Sequence, residues 1–242
     1  MDKGIGFSRT ITLDWLDATA TLCLDQVEYT EIRERLLPVV QNRLTGKDAR
    51  RKTIDVLTAI WVRIDSDFST LRDRALQLFQ TATSSVDRLW LHYGMTLAAY
   101  PFFRSCAAAI GQTGRLEDKI TRQVIKDRLI AEMGHLGGMD RSVERVMASL
   151  KEWSLLVPVE GRGVYQLQMN KYSASSAEYE VWLLACALYA HPSSQLPFPD
   201  LVRLAELFPF RFMVSVANLR NSSLFDVNLQ GGGLEMVRLI IR

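Results

Sequence analysis

Residues 121–168 read TRQVIKDRLIAEMGHLGGMDRSVERVMASLKEWSLLVPVEGRGVYQLQ, and the spacing of apolar side chains in this stretch decides the fold. Thr121 can cap a helix over 122–133, apolar at Val124, Ile125, Leu129 and Ile130. The segment 134–138 holds Gly134, Gly137 and Gly138 and reads as a turn. Asp140 can cap a second helix over 141–153, with Val143, Val146, Met147, Leu150 and Trp153 in the i, i+3, i+4, i+7 pattern of one buried stripe. Two short runs rich in branched and aromatic residues, 155–159 and 164–168, flank Glu160, Gly161, Arg162 and Gly163 and read as a β-hairpin.

Helix, turn, helix, hairpin is the order of a winged helix, expected here over 113–172. The inward stripe of the second helix leaves Arg141, Ser142, Arg145, Ser149 and Glu152 on the outer face. In a unit of this kind that face is free to enter a DNA major groove, whose width matches a helix. Arg141 and Arg145 lie one turn apart and point the same way. Arg162 at the hairpin tip, with Lys126 and Arg122 on the preceding helix, can reach phosphates. The opposing reading is a solvated face: residues 115–172 hold ten Lys and Arg against eight Asp and Glu, a weak electrostatic footprint.

Outward from this unit the chain is mainly α. Residues 12–112 read as a helical bundle, with breaks near Pro38, Gly46, Pro101 and Gly111. Thr30 and Asp48 are candidate N-caps, and Pro38 is expected to kink or split its helix. Gly111 and Gly114 mark a boundary. Residues 173–242 read as further helices, then strands 224–229 and 234–241 joined across Gly231, Gly232 and Gly233, a terminal hairpin packed on the rest. The set Phe208, Phe210 and Phe212 around Pro209 is a candidate partner surface for other protein subunits, although burial in the chain's own core explains it better.

The 242 residues are 48% hydrophobic, too apolar for disorder, and carry a net charge of only +2. A polyanion contact must therefore come from a local patch. The most positive part is 43–74, with eight Lys and Arg against five Asp, centred on Arg50, Arg51 and Lys52 at a helix start. Cations there oppose the helix dipole and need another reason to be present; phosphate contact is one, a solvated face another.

Cys23, Cys106 and Cys186 are odd in number and far apart, which suits buried thiols in a reducing compartment. His92, His135 and His191 have no ligand spacing, His92 reading as a packed or bridging residue. Asp14 and Asp17 suit a first helical turn better than a metal. Gly46-Lys47 lacks the glycine of a phosphate loop, and no nucleophile elbow or dinucleotide fingerprint is present. No catalytic residue, metal or cofactor is assigned. Without an apolar leader or a spanning segment, the expectation is a cytoplasmic protein with no membrane contact.

The order of pieces resembles the BrxA family of bacterial phage-defence (BREX) systems. What carries the resemblance is the Ala-Arg-Arg-Lys-Thr helix at 49–53, a long apolar helix, and a helix pair containing Arg-x-x-x-Arg at 141–145. It covers roughly residues 45–160. It implies a small non-catalytic component that binds double-stranded DNA within a multi-protein defence system, with Arg50, Arg51 and Lys52 also touching DNA. The DNA-contacting set expected from both arguments is Arg141, Arg145, Ser149, Arg162, Lys126, Arg50, Arg51 and Lys52. The rival expectation is a protein-interaction scaffold without DNA contact.

Overall fold

The computed structural model describes residues 7–161 and 163–240. These residues form a mainly helical fold with three small sheets. Six helices come first: α1 (Leu13–Leu24), α2 (Tyr29–Gln41), α3 (Lys47–Trp61), α4 (Ser69–Thr81), α5 (Ser85–Ala99) and α6 (Pro101–Leu116). Then follow β1 (Ile120–Thr121), α7 (Arg122–Met133), α8 (Met139–Glu152), β2 (Leu156–Pro158) and β3 (Val164–Leu167). The last third contains β4 (Tyr172–Ser173), α9 (Ala177–Ala190), β5 (Gln195–Pro197), α10 (Phe198–Leu201), β6 (Phe210–Arg211), α11 (Val216–Arg220), β7 (Phe225–Gln230) and β8 (Leu234–Leu239).

The centre is a pair of helices apolar around most of their circumference. Nearly every residue of α5 from Leu89 to Leu97 is buried, as is α9 from Tyr179 to Leu188. A helix with no polar face has to be enclosed, and the two enclose each other. Gly94 makes the close approach possible, since a Cβ there would collide with the Trp182 ring. Three tethers fix the last third to the helices α4, α5 and α6. Tyr93 donates its hydroxyl hydrogen to the Glu206 carbonyl at 2.5 Å, Arg104 pairs with the buried Glu206 carboxylate at 2.8 Å, and Trp182 Nε1 donates to the Leu71 carbonyl at 2.8 Å. One hydrophobic core runs through all three expected regions.

Several sequence expectations shift in register. Gly111 and Gly114 lie inside α6, which runs through the boundary drawn at 112. A Cβ on Gly111 would strike the Ala205 carbonyl and one on Gly114 the Leu167 side chain, so these glycines permit contact rather than ending a helix. Thr30, Asp48 and Asp140 sit in the first turns of α2, α3 and α8 and not at the caps, which are Glu28, Gly46 and Gly138. The helix α2 continues past Pro38, because both Pro38 and Glu34, whose carbonyl loses its partner, are exposed. Thr121 caps α7 as read, its Oγ1 accepting from the Val124 N–H at 3.3 Å.

β2 and β3 pair antiparallel, with β1 on the other side of β3, and β7 and β8 pair antiparallel with β5 against β8. The strands β1 and β5 are too short to show alternation and were not read from the sequence. The Phe208–Phe212 surface is overturned. Phe208 and Phe210 are buried, Phe210 lying 4.4 Å from Trp90 and 5.0 Å from Tyr93, and Phe212 packs edge-on against Trp90 at 5.2 Å. Among the described residues no helix is long and apolar enough to cross a membrane.

Candidate anion-binding groove

The stripe on α8 turns inward as its spacing requires: Val143, Val146, Met147 and Leu150 are buried, with Trp153 just beyond. The opposite side is not open. The segment 7–12 lies extended across it as a strap. Phe7 anchors one end, edge-on to Tyr100 at 5.4 Å and 5.5 Å from Phe103. Ile11 anchors the other end: its N–H donates to Ser149 Oγ at 2.8 Å, and its carbonyl accepts from Trp153 Nε1 at 2.9 Å. Ser149 is therefore fully buried and also donates to the Arg145 carbonyl at 2.9 Å, and Ser142 is buried too. Both are expected outside from the sequence; for Ser149 the strap explains why it is not, since a short hydroxyl suits a helix face that another backbone crosses closely. Sequence reasoning missed the strap because six residues carry no periodic signal. The pair Phe7 and Ile11 ahead of the first helix was the available clue.

The strap, α3 and α8 together form a groove in two halves that share Arg9. One half is lined by Ser8, Arg9, Arg51, Lys52, Asp55, Val56, Arg63, Tyr100 and Arg141. The other is lined by Arg9, Thr10, Thr12, Trp15, Arg43, Leu44, Ala49, Thr53, Arg145 and Glu152. Seven cationic side chains thus line these two neighbouring cavities: Arg9, Arg43, Arg51, Lys52, Arg63, Arg141 and Arg145. Four carboxylates answer them. Asp48 is 2.9 Å from Lys52 and 2.7 Å from Arg51, Asp55 is 3.3 Å from Arg51, and Asp14 and Glu152 are 2.8 and 3.9 Å from Arg43. The Lys52 ammonium, then Arg51, hold the Asp48 carboxyl down to about 2, so it stays charged at any ordinary pH. Arg141 is exposed and makes no ion pair or side-chain hydrogen bond among the described residues. Arg145 is half-buried and, among the described residues, its side chain reaches only the Thr10 hydroxyl, at 3.4 Å. Guanidinium groups left short of acceptors, next to one another, are suited to phosphate, which offers several acceptor oxygens per group.

The other expected contact residues lie elsewhere. Lys126 is 3.4 Å from Asp140, on the far flank of α8, where Arg122 also sits 3.4 Å from Glu144. Arg50 lines neither groove half; it donates to the Thr45 carbonyl at 2.9 Å and borders a neighbouring depression with Lys47, Arg33 and Leu37, which shares Arg51 with the groove. Arg162 lies outside the described residues. Arg43 was read as part of the basic cluster around Arg50–Lys52 but not as a contact residue; Arg9 and Arg63 were missed, since each is an isolated arginine in sequence and joins the cluster only through the fold.

The remaining polar features are tethers. His92 is buried and holds Asp17 through Nε2 at 2.8 Å, joining α5 to α1, while Arg88 reaches the same carboxylate oxygen at 3.2 Å. Burial outweighs the Asp17 hydrogen bond and pushes the His92 imidazole below its usual range, so it is neutral at neutral pH. The three cysteines are buried, and burial raises Cys23 to about 11 despite Arg72 nearby, which leaves no reactive thiolate there. Among the described residues no group of three or more His, Cys, Asp or Glu is placed to hold a metal ion. No family model, no curated protein and no solved structure matches the chain.

Proposed function

We propose that this chain is a non-catalytic DNA-binding component, accessory to a larger assembly, that holds duplex phosphates in the groove formed by α3, the strap and α8. The observation that carries the reading is that one cavity gathers Arg9, Arg51, Lys52, Arg63 and Arg141, and a neighbouring one that shares Arg9 adds Arg43 and Arg145. A chain of net charge +2 has no general affinity for polyanions, so a clustered cationic face is the feature to explain. In this reading α7, α8, β2 and β3 act as a winged helix that docks by one flank, because the strap occupies the position from which Ser149 would have read bases. Contacts to the backbone position a protein on DNA without specifying sequence. The similarity of residues 45–160 to the BrxA family agrees with this and points to bacterial phage defence as the setting.

The test is binding of a fluorescent 20-bp duplex to the full chain between 50 and 200 mM salt. Backbone binding through five to seven cations gives a log–log slope of roughly −5 to −6. A flat salt dependence, or no binding at 50 mM, would reject the proposal. A second reading, a scaffold subunit without DNA contact, draws on the β7–β8 tip, where Leu229 is 67% and Leu234 45% exposed. Its mark is retention of a partner protein that Leu229→Ser abolishes while duplex binding is absent.

A further inference from the structure

The sheet of β5, β8 and β7 has two edges, and they are built differently. β5 is 3 residues long and closes on Pro197, which has no N–H to offer a further strand. β7, on the other side, runs for 6 residues, Phe225-Asp226-Val227-Asn228-Leu229-Gln230, with neither proline nor lysine to discourage pairing. Which of its backbone groups face outward follows from one hydrogen bond. The Ile240 N–H donates to the Leu224 carbonyl at 2.8 Å, so the hydrogen-bonded pairs of the β7–β8 ladder follow at every second residue. They are Asp226 with Arg238, Asn228 with Met236 and Gln230 with Leu234. Phe225, Val227 and Leu229 turn the other way. The Phe225 N–H is met by the Ser222 carbonyl at 3.5 Å. The N–H and C=O of Val227 and Leu229 face the open edge, where no described strand pairs with them. Leu229 is also 67% exposed, and Asn228 and Gln230 are exposed beside it.

We propose that this edge pairs with the same edge of a second copy of the chain, antiparallel about a two-fold axis through Asn228, so that the two sheets join into one across β7. The strand is complementary to itself in this register. Val227 exchanges N–H···O=C bonds with Leu229 of the second copy, and the axis repeats the exchange, so the outward groups of both residues are satisfied. On one face the Leu229 side chain gains cover from the half-buried Val227 opposite it. On the other face Asn228 meets its own copy. Asp226, whose charge is answered by Arg238 at 2.9 Å, faces Gln230, and no like charges stand opposite one another. An axis through Val227 would instead ask the Phe225 N–H, already bonded to Ser222, for a second partner. A strand of another protein would not require β7 to match itself, and that match is what favours a second copy. The proposal does not rest on the groove reading.

The test uses the full chain carrying Asn228→Cys. In this register the two copies of position 228 form a non-hydrogen-bonded pair about 4.5 Å apart between Cα atoms, which a disulfide spans. The native cysteines are buried, so oxidation acts on the introduced thiol. Asp226→Cys places its thiol on the same face but about 13 Å from its own copy, since position 226 lies opposite 230. Under mild oxidation Asn228→Cys should form a linked dimer roughly tenfold faster than Asp226→Cys. Equal rates would mark random collision and overturn the proposal. Sedimentation equilibrium checks the same contact without a new thiol. A strand-edge contact is small, so the expected Kd is about 10–100 µM, and the average mass should climb above the 27.5 kDa of one chain across that range. Leu229→Pro removes an outward N–H that takes no part in the ladder to β8, so it should unfold within a few degrees of wild type while self-association weakens at least tenfold. A chain still monomeric at about 200 µM, or Leu229→Pro associating like wild type, would overturn the pairing. A strand of another protein seated on this edge would leave the isolated chain monomeric, and that result too counts against a second copy.

Discussion

The two flanks of α8 carry opposite charges and meet different neighbours. Toward α7, Arg122 and Lys126 meet Asp140 and Glu144. Toward the strap, Arg141 and Arg145 meet a threonine hydroxyl and open groove. The pairs 140/144 and 141/145 are each one helical turn apart, and the second is displaced by one residue, about 100° around the axis. That single step separates a neutral flank from a cationic one. Counted together, as a linear stretch, the two cancel to near zero. A net charge over a segment therefore says little about a helix, and the useful quantity is the charge per stripe.

The sharpest break in this comparison is to remove the cations of the unmatched flank together. Arg9→Ala/Arg141→Ala/Arg145→Ala should reduce the salt slope of duplex binding by about three and the affinity near 0.1 M salt by roughly 10²–10³-fold. Anisotropy across a salt series measures both, and a slope left within half a unit of wild type would count the strap side out. A smaller effect is expected from the strap's own anchor. Ser149→Ala leaves the Ile11 N–H buried without its acceptor, a cost of about 1–3 kcal/mol in chemical denaturation. Duplex affinity should fall alongside, because Arg9 loses its position. Unchanged stability would mean that the strap is held by Phe7 and Trp153 alone.

How much of this could be read beforehand follows the same division. The long periodic helices were legible, since burial of one stripe imposes a spacing on 122–133 and 141–152 that nothing else explains. The strands at 164–167 and 225–230 were legible from branched residues beside glycines. The strap was not, because an extended segment held by two side-chain hydrogen bonds leaves no period behind. Gly111 was misread because a glycine that ends a helix and a glycine that admits a neighbouring backbone look alike in sequence. For the groove, the runs Arg50–Lys52 and Arg141–Arg145 were visible, and the fold brings Arg51, Lys52, Arg141 and Arg145 to one face. Arg9 and Arg63 were recruited from single positions far apart, and Arg43 was visible only as a neighbour of the basic run. Pairing states, which separate Arg141 from Lys126, depend on carboxylates across a helix interface and were beyond reach.

Acid separates folding from binding and so sharpens the contrast further. His92 has its folded pKa depressed by burial, with an unfolded value near 6.5. The sign follows: its contribution is complete above pH 6.5 and is lost as pH falls below that toward the lower folded value. Denaturation midpoints should thus decline below pH 6.5. The cations lining the groove are arginines and one lysine, with no histidine among the lining residues, so duplex affinity should stay within about twofold between pH 6.5 and 8.5. Affinity that changed by more than this between pH 6.5 and 8.5, where the His92 contribution is complete, would place a titrating group in the groove.

The smallest expected effect lies on the matched flank and tests the stripe argument most directly. Exposed ion pairs contribute about 0–1 kcal/mol, so Arg122→Ala/Lys126→Ala should leave both stability and duplex affinity nearly unchanged, the affinity within twofold. Removing the acids instead, as Asp140→Asn/Glu144→Gln, does not alter the count of cations but leaves Arg122 and Lys126 unanswered beside Arg141. If pairing is what silences that flank, affinity at 50 mM salt should rise a few-fold and the slope steepen by up to about one. The gain should vanish when Arg122→Ala/Lys126→Ala is added, since the two liberated cations alone would account for it. A gain that persisted would trace to reduced overall repulsion of the polyanion, and the two flanks of α8 would then differ only in net charge and not in the pairing of their side chains.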